Sequence, residues 1–115
     1  MPARDQKKMN LVVSEIRQET PESKSFRFDL GANKPFPFRP GQFIIITAEV
    51  WNPKRNQMGP ANRAFSLSSS PTDEDTLEIA AKRYEGGRMT PWLHDTVKVG
   101  DILNVKGARG TVRFH

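Results

Sequence analysis

Alternation of apolar and polar residues with a period of two is the feature that most constrains the fold of this chain. In SKSFRFDL (23–30), Phe26, Phe28 and Leu30 fall on one face and the intervening polar residues on the other. The same period returns in TLEIAAKRY (76–84). Further strand-like runs are LVVSEIRQ (11–18), QFIIITAEV (42–50) and DILNVKG (101–107). Short strands separated by turn residues predict an all-β barrel or sandwich.

One segment, GGRMTPWLHDTV (86–97), has the pattern of a helix of about two turns. Thr90 is suited to the N-cap and Pro91 to the first helical position, where no N–H donor is needed. The glycines before it let backbone approach a ligand closely, and Arg88 adds a positive charge. The segment therefore predicts a site for a phosphate-like anion beside the start of a helix.

Two segments lack any periodic pattern. WNPKRNQMGPAN (51–62) has two prolines, two basic residues and no acidic residue, and it predicts an exposed loop. Residues 1–9 are basic and have no apolar run after them, so we expect a loose N-terminal lead-in and not a signal peptide. Residues 10–115 would then form one barrel domain.

The composition excludes several classes of site. The chain of 115 residues has no cysteine, which excludes thiolate metal sites and is compatible with a cytoplasmic location. Its two histidines are far apart, so no metal site is expected. No apolar stretch approaches the roughly 20 residues that a membrane-spanning helix needs. The net charge of +5 favours an anionic ligand or an acidic partner.

The run NRAFSLSSS (62–70) is unusual for a strand because it has four serines in five positions. Arg63 supplies a cation, Phe65 an aromatic ring that we expect to be exposed, and Ser66 and Ser68 small hydroxyls. Together with the anion site at 86–90, these groups suit a ligand with phosphates and a flat ring system, such as a nucleotide cofactor. Neither G-x-G-x-x-G nor G-x-x-x-x-G-K-[ST] occurs, so Rossmann and P-loop binding are not expected.

Four stretches, in the same order, resemble the flavin-binding domain of the ferredoxin–NADP reductase superfamily. They are RPGQF (39–43), RAFS (63–66), GRMTPWL (87–93) and GARGTVRF (107–114). The resemblance implies a six-stranded antiparallel Greek-key barrel with one short helix, and FAD in preference to FMN. The sequence departs from the family at Phe65 and Ala108, where tyrosine and proline are more usual, and in the length of 51–62.

The resemblance implies contacts with the cofactor, and it implies no catalytic side chain. Arg63 would bind its phosphate or ribityl region, Phe65 would stack on the isoalloxazine, and Ser66 would face the N5/O4 edge. The backbone N–H groups of Met89 and Thr90, with the Thr90 hydroxyl, would hold the pyrophosphate. The full set of expected contact residues is Arg63, Ala64, Phe65, Ser66, Lys82, Arg83, Gly87, Met89 and Thr90. The two basic residues of that set at 82–83 would lie on the ribityl or adenine side.

The function implied is that of the FAD-binding domain of an NAD(P)H-dependent flavoprotein oxidoreductase. Such a domain needs an NAD(P)-binding domain or chain and an electron acceptor, and alone it is expected to bind flavin without efficient NAD(P)H oxidation. Two alternatives stay open on the sequence. One is a small basic β-barrel that binds single-stranded nucleic acid by stacking on Phe65, Tyr84 and Trp51. The other is a docking module that kept the barrel and lost its flavin.

Overall fold

The computed structural model describes residues 7–39, 41–68 and 75–109 of the chain. Within these ranges the chain forms six β-strands, one α-helix and one short 3-10 helix at Gly31–Asn33. The strands are β1 (Lys7–Thr20), β2 (Ser23–Asp29), β3 (Phe43–Asn52), β4 (Gln57–Ser66), β5 (Thr76–Lys82) and β6 (Ile102–Arg109), and helix α1 (Met89–Asp95) lies between β5 and β6.

All neighbouring strands are antiparallel, in the order β4-β3-β6-β1-β2-β5. Strand β6 lies between β1 and β3, neither of which is its neighbour in the sequence. This arrangement is typical of a Greek key. The sheet curls into a half-barrel, and its two edges meet just after β4, where Leu67 bridges Ile79 and the Ser68 N–H donates to the Glu78 carbonyl at 2.8 Å. The predicted six-stranded antiparallel fold with one short helix is confirmed.

The core lies inside the curled sheet and contains the residues that the alternation predicted to face inward. Phe26 and Phe28 of β2 are completely buried, as are Leu77 and Ile79 on the neighbouring strand β5. The register pairs Phe26 with Ile79 and Phe28 with Leu77. Helix α1 covers one end of this core with Leu93, which is also completely buried.

The segment 51–62 is a β-hairpin, so the prediction of an unpatterned loop is wrong. Strand β3 continues to Asn52, and Asn52 stabilises the turn by accepting hydrogen bonds from the Lys54 and Arg55 N–H groups at 3.1 and 3.2 Å. Asn56 takes a positive φ of 54°, which closes the turn. Both faces of this hairpin are largely exposed, so its sequence lacks the alternation that marks a half-buried strand. The predicted exposure of the segment is correct.

The boundaries of two other elements also differ from expectation. Strand β1 begins at Lys7 and Met9 is buried in the core, so residues 7–9 belong to the barrel and not to a loose lead-in. Helix α1 has Arg88 as its N-cap residue, and Pro91 is therefore the third helical residue. Thr90 is not the N-cap, because the helix begins one residue before it, and its hydroxyl instead accepts a hydrogen bond from the strand-to-helix turn.

The outer face of β1, β2 and β5 carries a network of ion pairs. Arg27 contacts Glu15 at 3.3 Å and Glu78 at 3.1 Å, and Arg17 contacts Glu78 at 2.7 Å. The pKa of Glu19, beside this network, lies below its ordinary value, mainly because the Ser25 hydroxyl donates to it and also because Arg17 does. These contacts tie three neighbouring strands together on the side of the sheet that faces away from the core.

Candidate functional site

The two edge strands leave a cleft between them, which we call the seam cleft. It has a volume of about 230 Å³ and takes its walls from β4, from β5 and from the turn before α1. Its lining residues are Arg63, Ala64, Phe65, Ser66, Ala80, Ala81, Lys82, Tyr84 and Thr90. Six of the nine predicted site residues are in this set: four come from β4, one from β5 and one, Thr90, from helix α1, and the two strands are not neighbours in the sheet order.

Strand β4 supplies one wall of the seam cleft. Its register places Phe65 opposite Ile44 and Ser66 opposite Phe43, so successive side chains fall on opposite faces of the strand. Because β4 is an edge strand, a ligand in the seam lies along its free side and can meet both faces as well as unpaired backbone groups. A ligand in this position would therefore contact both the ring at 65 and the hydroxyl or backbone at 66, although the two side chains lie on opposite faces of the strand.

Phe65 is only 7% exposed and belongs to the hydrophobic core, so the prediction of an exposed ring is wrong. The cause is its register with Ile44, which is completely buried and shares its face. Phe65 therefore forms part of the cleft wall from within the core. Ser66 is exposed at the cleft, whereas the Ser68 hydroxyl donates to the Glu78 carbonyl at 3.1 Å and joins the two sheet edges.

Tyr84 is the exposed aromatic residue of the seam cleft, although the sequence predicts a role for it only in the nucleic-acid alternative. Its side chain is 49% exposed. The Arg63 guanidinium carbon lies 5.4 Å from the centre of its ring, and the Lys82 Nζ lies 5.8 Å from it. These distances allow cation–π attraction from both walls of the cleft. The sequence feature that could have identified Tyr84 as a site residue is its position, which follows Lys82 and Arg83 and precedes the glycines at 86 and 87 by two residues.

The turn from β5 to α1 is held by two hydrogen bonds. The Tyr84 N–H donates to the Thr90 Oγ1 at 2.9 Å, and the Gly87 N–H donates to the Tyr84 carbonyl at 3.0 Å. A Cβ at Gly87 would lie 3.0 Å from that carbonyl oxygen, so the turn favours glycine. The Thr90 side chain is buried, and a hydroxyl that accepts a hydrogen bond keeps its own proton to donate. That proton can serve an anion in the cleft.

Arg88 connects helix α1 to the start of β4. Its Nη2 donates to the carbonyl oxygens of Gly59 and Pro60 at 3.2 and 3.1 Å. Its Nε is buried and has no hydrogen-bond partner among the described residues. Arg88 and Arg63 both line an adjoining cavity of about 450 Å³, which we call the arginine cavity. The described lining of this cavity contains two cations and no acidic residue, which suits phosphate.

Three of the predicted residues do not line the seam cleft. The Arg83 Nη1 and Nε contact Asp95 at 2.5 Å and Glu85 at 2.7 Å, so its guanidinium is directed to the helix and not to the cleft. The hydrogen bonds to Asp95 and, second, to Glu85 raise the pKa of Arg83 above its ordinary value. The hydrogen bond from Arg83 in turn lowers the pKa of Asp95. Met89 lines the arginine cavity with a buried side chain, and Gly87 lines the cavities beyond it.

The other two predicted motifs shape the barrel around the site. Gly107, the first residue of the motif GARGTVRF, has a φ of 145°. A Cβ at this position would lie 3.1 Å from the Phe43 carbonyl oxygen and 3.2 Å from the Ile44 Cα. Glycine therefore permits the close approach of β6 to β3. In the first motif, Gln42 accepts a hydrogen bond from the Leu67 N–H at 3.1 Å, where the sheet edges meet. Pro40, Ser69, Ser70 and residues 110–114 lie outside the described residues.

The comparison with known proteins settles the family. The pattern of the oxidoreductase FAD-binding domain family matches residues 10–114. The chain belongs to this family. It is an FAD-binding domain of the ferredoxin–NADP reductase type, and the predicted cofactor, FAD, and the predicted oxidoreductase function are confirmed at that level. The match favours flavin binding over the nucleic-acid alternative.

Individual relatives of this FAD-binding domain agree. It is 36% identical over 95 residues to the glycine betaine monooxygenase reductase subunit of Pseudomonas aeruginosa, covering 83% of this chain and 24% of the relative. It is 30% identical over 109 residues to the ferredoxin reductase component of 3-ketosteroid-9-alpha-monooxygenase from Mycolicibacterium smegmatis, covering 90% and 29%. Among solved structures, the ferredoxin reductase in carbazole 1,9a-dioxygenase is similar with a TM-score of 0.75 and 32% identity, covering 95% and 30%.

The FAD-binding domain thus spans about a quarter of the length of the curated relatives that it matches. Within the described residues, no cluster of three or more His, Asp or Glu side chains has the geometry of a metal site. The helices of the same residues include none with the length and apolarity to cross a membrane.

Proposed function

We propose that FAD lies along the seam cleft with its isoalloxazine between β4 and β5, in a reductase component that takes electrons from NAD(P)H. The observation that supports this most is the convergence on one cleft of Arg63 and Ser66 from β4, of Lys82 from the end of β5, and of Tyr84 and Thr90 from the turn and helix that follow β5. When bound, the flavin supplies hydride acceptance and onward electron transfer. The contribution of the protein is to hold and orient the ring system.

Arg63 and Lys82 supply the positive charge of the seam cleft. Arg63 is exposed and has no carboxylate partner among the described residues, so its guanidinium is free to bind the phosphate or ribityl oxygens. Lys82 is weakly paired, with its Nζ 3.8 Å from Glu22. We propose that the two side chains leave the Tyr84 ring when the cofactor binds and contact its polar chain, while the ring itself packs against the flavin.

The turn before α1 is proposed to hold the pyrophosphate. No side chain within the described residues caps the start of α1, so the backbone N–H groups of Met89 and Thr90 remain as donors. The Thr90 hydroxyl adds a third donor, and its orientation is fixed by the hydrogen bond from Tyr84. Glycine at 87 lets a ligand reach this backbone without a side chain in the way.

The described lining of the seam cleft contains no histidine, cysteine or carboxylate. Of the side-chain types that usually act as general acids and bases, the described lining contains only Lys82 and Tyr84, and we assign both of them to binding the cofactor. We therefore propose that no side chain of this domain transfers a proton in the reaction, and that Ser66 acts on the flavin by hydrogen bonding near its N5/O4 edge. This is a role in positioning and in electrostatic tuning.

The partners follow from the chemistry and from the relatives. The relatives are named as reductase subunits or components of oxygenases, and we propose that this domain likewise works with an NAD(P)-binding domain and an electron acceptor. The absence of cysteine supports our proposal that the protein acts in the reducing cytoplasm.

The experiment is a rapid-mixing measurement of flavin reduction. The FAD-loaded chain is mixed with NADH or NADPH, first alone and then with the NAD(P)-binding domain of one of its relatives, and the loss of the visible flavin band is followed. We expect slow reduction alone and clearly faster reduction with the added domain. Reduction of the lone chain at roughly 1–1000 per second, the range of ordinary enzymes, would refute the need for a separate nucleotide domain.

A further inference from the structure

The segment that contains helix α1 is bonded to both edge strands of the sheet. Before the first turn, the Arg88 guanidinium donates to the carbonyl oxygens of Gly59 and Pro60 on β4. In the last turn, the His94 Nε2 lies 2.8 Å from the Ala81 carbonyl oxygen on β5. Strands β4 and β5 supply the two walls of the seam cleft. The position of α1 is therefore tied to both walls.

His94 is a buried side chain to which the proposed binding of FAD assigns no role. It is 8% exposed, and it lines neither the seam cleft nor the arginine cavity. Its ring lies beside the buried Phe26, with 6.3 Å between the ring centres. A carbonyl oxygen can only accept a hydrogen bond, so the His94 Nε2 carries a proton and donates to Ala81. The imidazole thus combines core packing with one directed bond to the cleft wall.

His94 is one of two buried polar side chains of α1 that are bonded to the end of β5 and the turn that follows it. The other is Thr90, whose Oγ1 accepts a hydrogen bond from the Tyr84 N–H at 2.9 Å. Thr90 and His94 are four residues apart, so they lie on the same face of the helix, one turn apart. The segment from Ala81 to Tyr84 therefore has a hydrogen bond to α1 at each end.

Two directed bonds fix what packing alone leaves free. Leu93 is completely buried and holds α1 against the core, but apolar contact has no preferred direction. Hydrogen bonds weaken steeply when their geometry is lost, so the pair at Thr90 and His94 sets how α1 is rotated and how far along β5 it lies.

The β5 wall of the seam cleft consists of Ala80, Ala81 and Lys82, and His94 bonds to the middle residue of the three. We propose that His94 is a positioning residue for the flavin site. Its bond to the Ala81 carbonyl sets the separation between Lys82 and the Thr90 hydroxyl, which are the two groups proposed to meet the polar chain and the pyrophosphate of FAD. The inference rests on that proposed binding of FAD in the seam cleft.

The test substitutes His94 by side chains that differ in where they carry a donor. Glutamine places an amide N–H about as far from the backbone as the Nε2 of histidine, asparagine is one carbon shorter, and leucine has no donor. FAD is titrated into each variant by quenching of flavin fluorescence. His94→Leu and His94→Asn should weaken FAD binding about fivefold to tenfold, the effect of one lost hydrogen bond, and His94→Gln should stay within about twofold of wild type.

A second measurement, amide hydrogen exchange of the flavin-free protein followed by NMR, does not depend on the cofactor. The Tyr84 N–H should exchange about tenfold faster in His94→Asn and His94→Leu than in the wild type, because its acceptor Thr90 moves with α1. The Arg83 N–H donates to the Glu22 carbonyl at 2.7 Å. Its protection should not change, and it shows that each variant is folded.

The matched control is Lys24→Met. The Lys24 Nζ donates to the His94 carbonyl oxygen at 2.8 Å, so the variant removes a hydrogen bond of the same length from the same residue of the helix. Lys24 lines neither the seam cleft nor the arginine cavity, and its flexible stem can follow a shift of the helix. FAD affinity and the exchange of the Tyr84 N–H should stay within about twofold of wild type.

Two results would overturn the inference alone. Equal FAD affinities in His94→Gln and His94→Asn would show that the place of the donor is irrelevant and that His94 contributes packing only. An equal loss in Lys24→Met and His94→Asn would show a general loosening of the helix end. If His94→Leu does not fold, the comparison of the glutamine and asparagine variants decides the question. Failure of the wild type to bind FAD would refute the proposed function as well, which the first two results leave standing.

Discussion

Replacement of Arg63 by alanine should separate cofactor binding from stability. In the described structure the Arg63 guanidinium has no carboxylate partner, and its contact is with the exposed Tyr84 ring at 5.4 Å. An exposed cation–π contact contributes about 0.5–1 kcal/mol to the free energy of unfolding. A hydrogen bond from a charged group to the cofactor contributes about 1.5–3 kcal/mol. The variant should therefore lose little stability and bind FAD about 10–150-fold more weakly.

The assay is a titration of FAD by fluorescence quenching, paired with thermal unfolding of the flavin-free protein. Arg27→Ala is the matched control because it removes the same charge from the outer network with Glu15 and Glu78. The Glu15 pair is exposed and the Glu78 pair is partly buried, so their loss should lower the free energy of unfolding by about 1 kcal/mol. FAD affinity should stay within about twofold of wild type, because Arg27 does not line the seam cleft.

A similar small loss of FAD affinity in both variants would refute the reasoning, because it would show a general electrostatic effect of net charge. A large loss of stability in Arg63→Ala would contradict the described environment of that side chain. Repeating both titrations at high salt distinguishes local contacts from long-range attraction, since the latter is screened.

Three further predictions concern the residues that shape the site. Thr90→Val removes the acceptor of the hydrogen bond that holds the β5–α1 turn. It should lower the free energy of unfolding by about 1–3 kcal/mol and also weaken FAD binding. Unchanged stability in denaturant unfolding would contradict this prediction. Gly107→Ala should lower the free energy of unfolding by about 2–3 kcal/mol. The control Gly31→Ala should cost clearly less, because a Cβ at Gly31 meets nothing within 4 Å. Equal effects in thermal unfolding would count against the close approach of β6 to β3 at Gly107. The hydrogen bond from Arg83 lowers the pKa of Asp95, so its stabilisation is present above the ordinary carboxyl pKa of 3.8 and is lost as pH falls through the lower folded value. The difference in unfolding midpoint between wild type and Asp95→Asn should accordingly shrink in acid, and a difference independent of pH would contradict this.

The strands of this fold were predictable because most of them have one buried and one exposed face. Phe26 and Phe28 alternate with polar residues, and the structure buries both completely. The hairpin at 51–62 was not predictable in the same way, because it projects with both faces largely in water and burial imposes no alternation on it. Its turn signal, Asn52 before Pro53, lies in a segment whose composition is also typical of loops.

The candidate site residues were predicted from a motif, and the position of each side chain depends on geometry that the sequence does not contain. Phe65 is buried because β4 pairs with β3 in one particular register, and a shift of one residue would have exposed it. Arg83 and Lys82 are adjacent, yet only Lys82 lines the cleft, because β5 ends at Lys82 and the Arg83 guanidinium contacts Asp95 and Glu85. Tyr84 became a candidate only when β4 and β5 proved to be the two edges of one curled sheet.

The most direct test of FAD binding in the seam is a visible absorption spectrum of the purified chain after incubation with FAD and removal of free flavin by desalting. We predict a retained flavin band that corresponds to about one FAD per chain and that is largely lost in Arg63→Ala. A colourless wild-type protein after desalting would contradict the account and favour a docking module that kept the barrel without its cofactor.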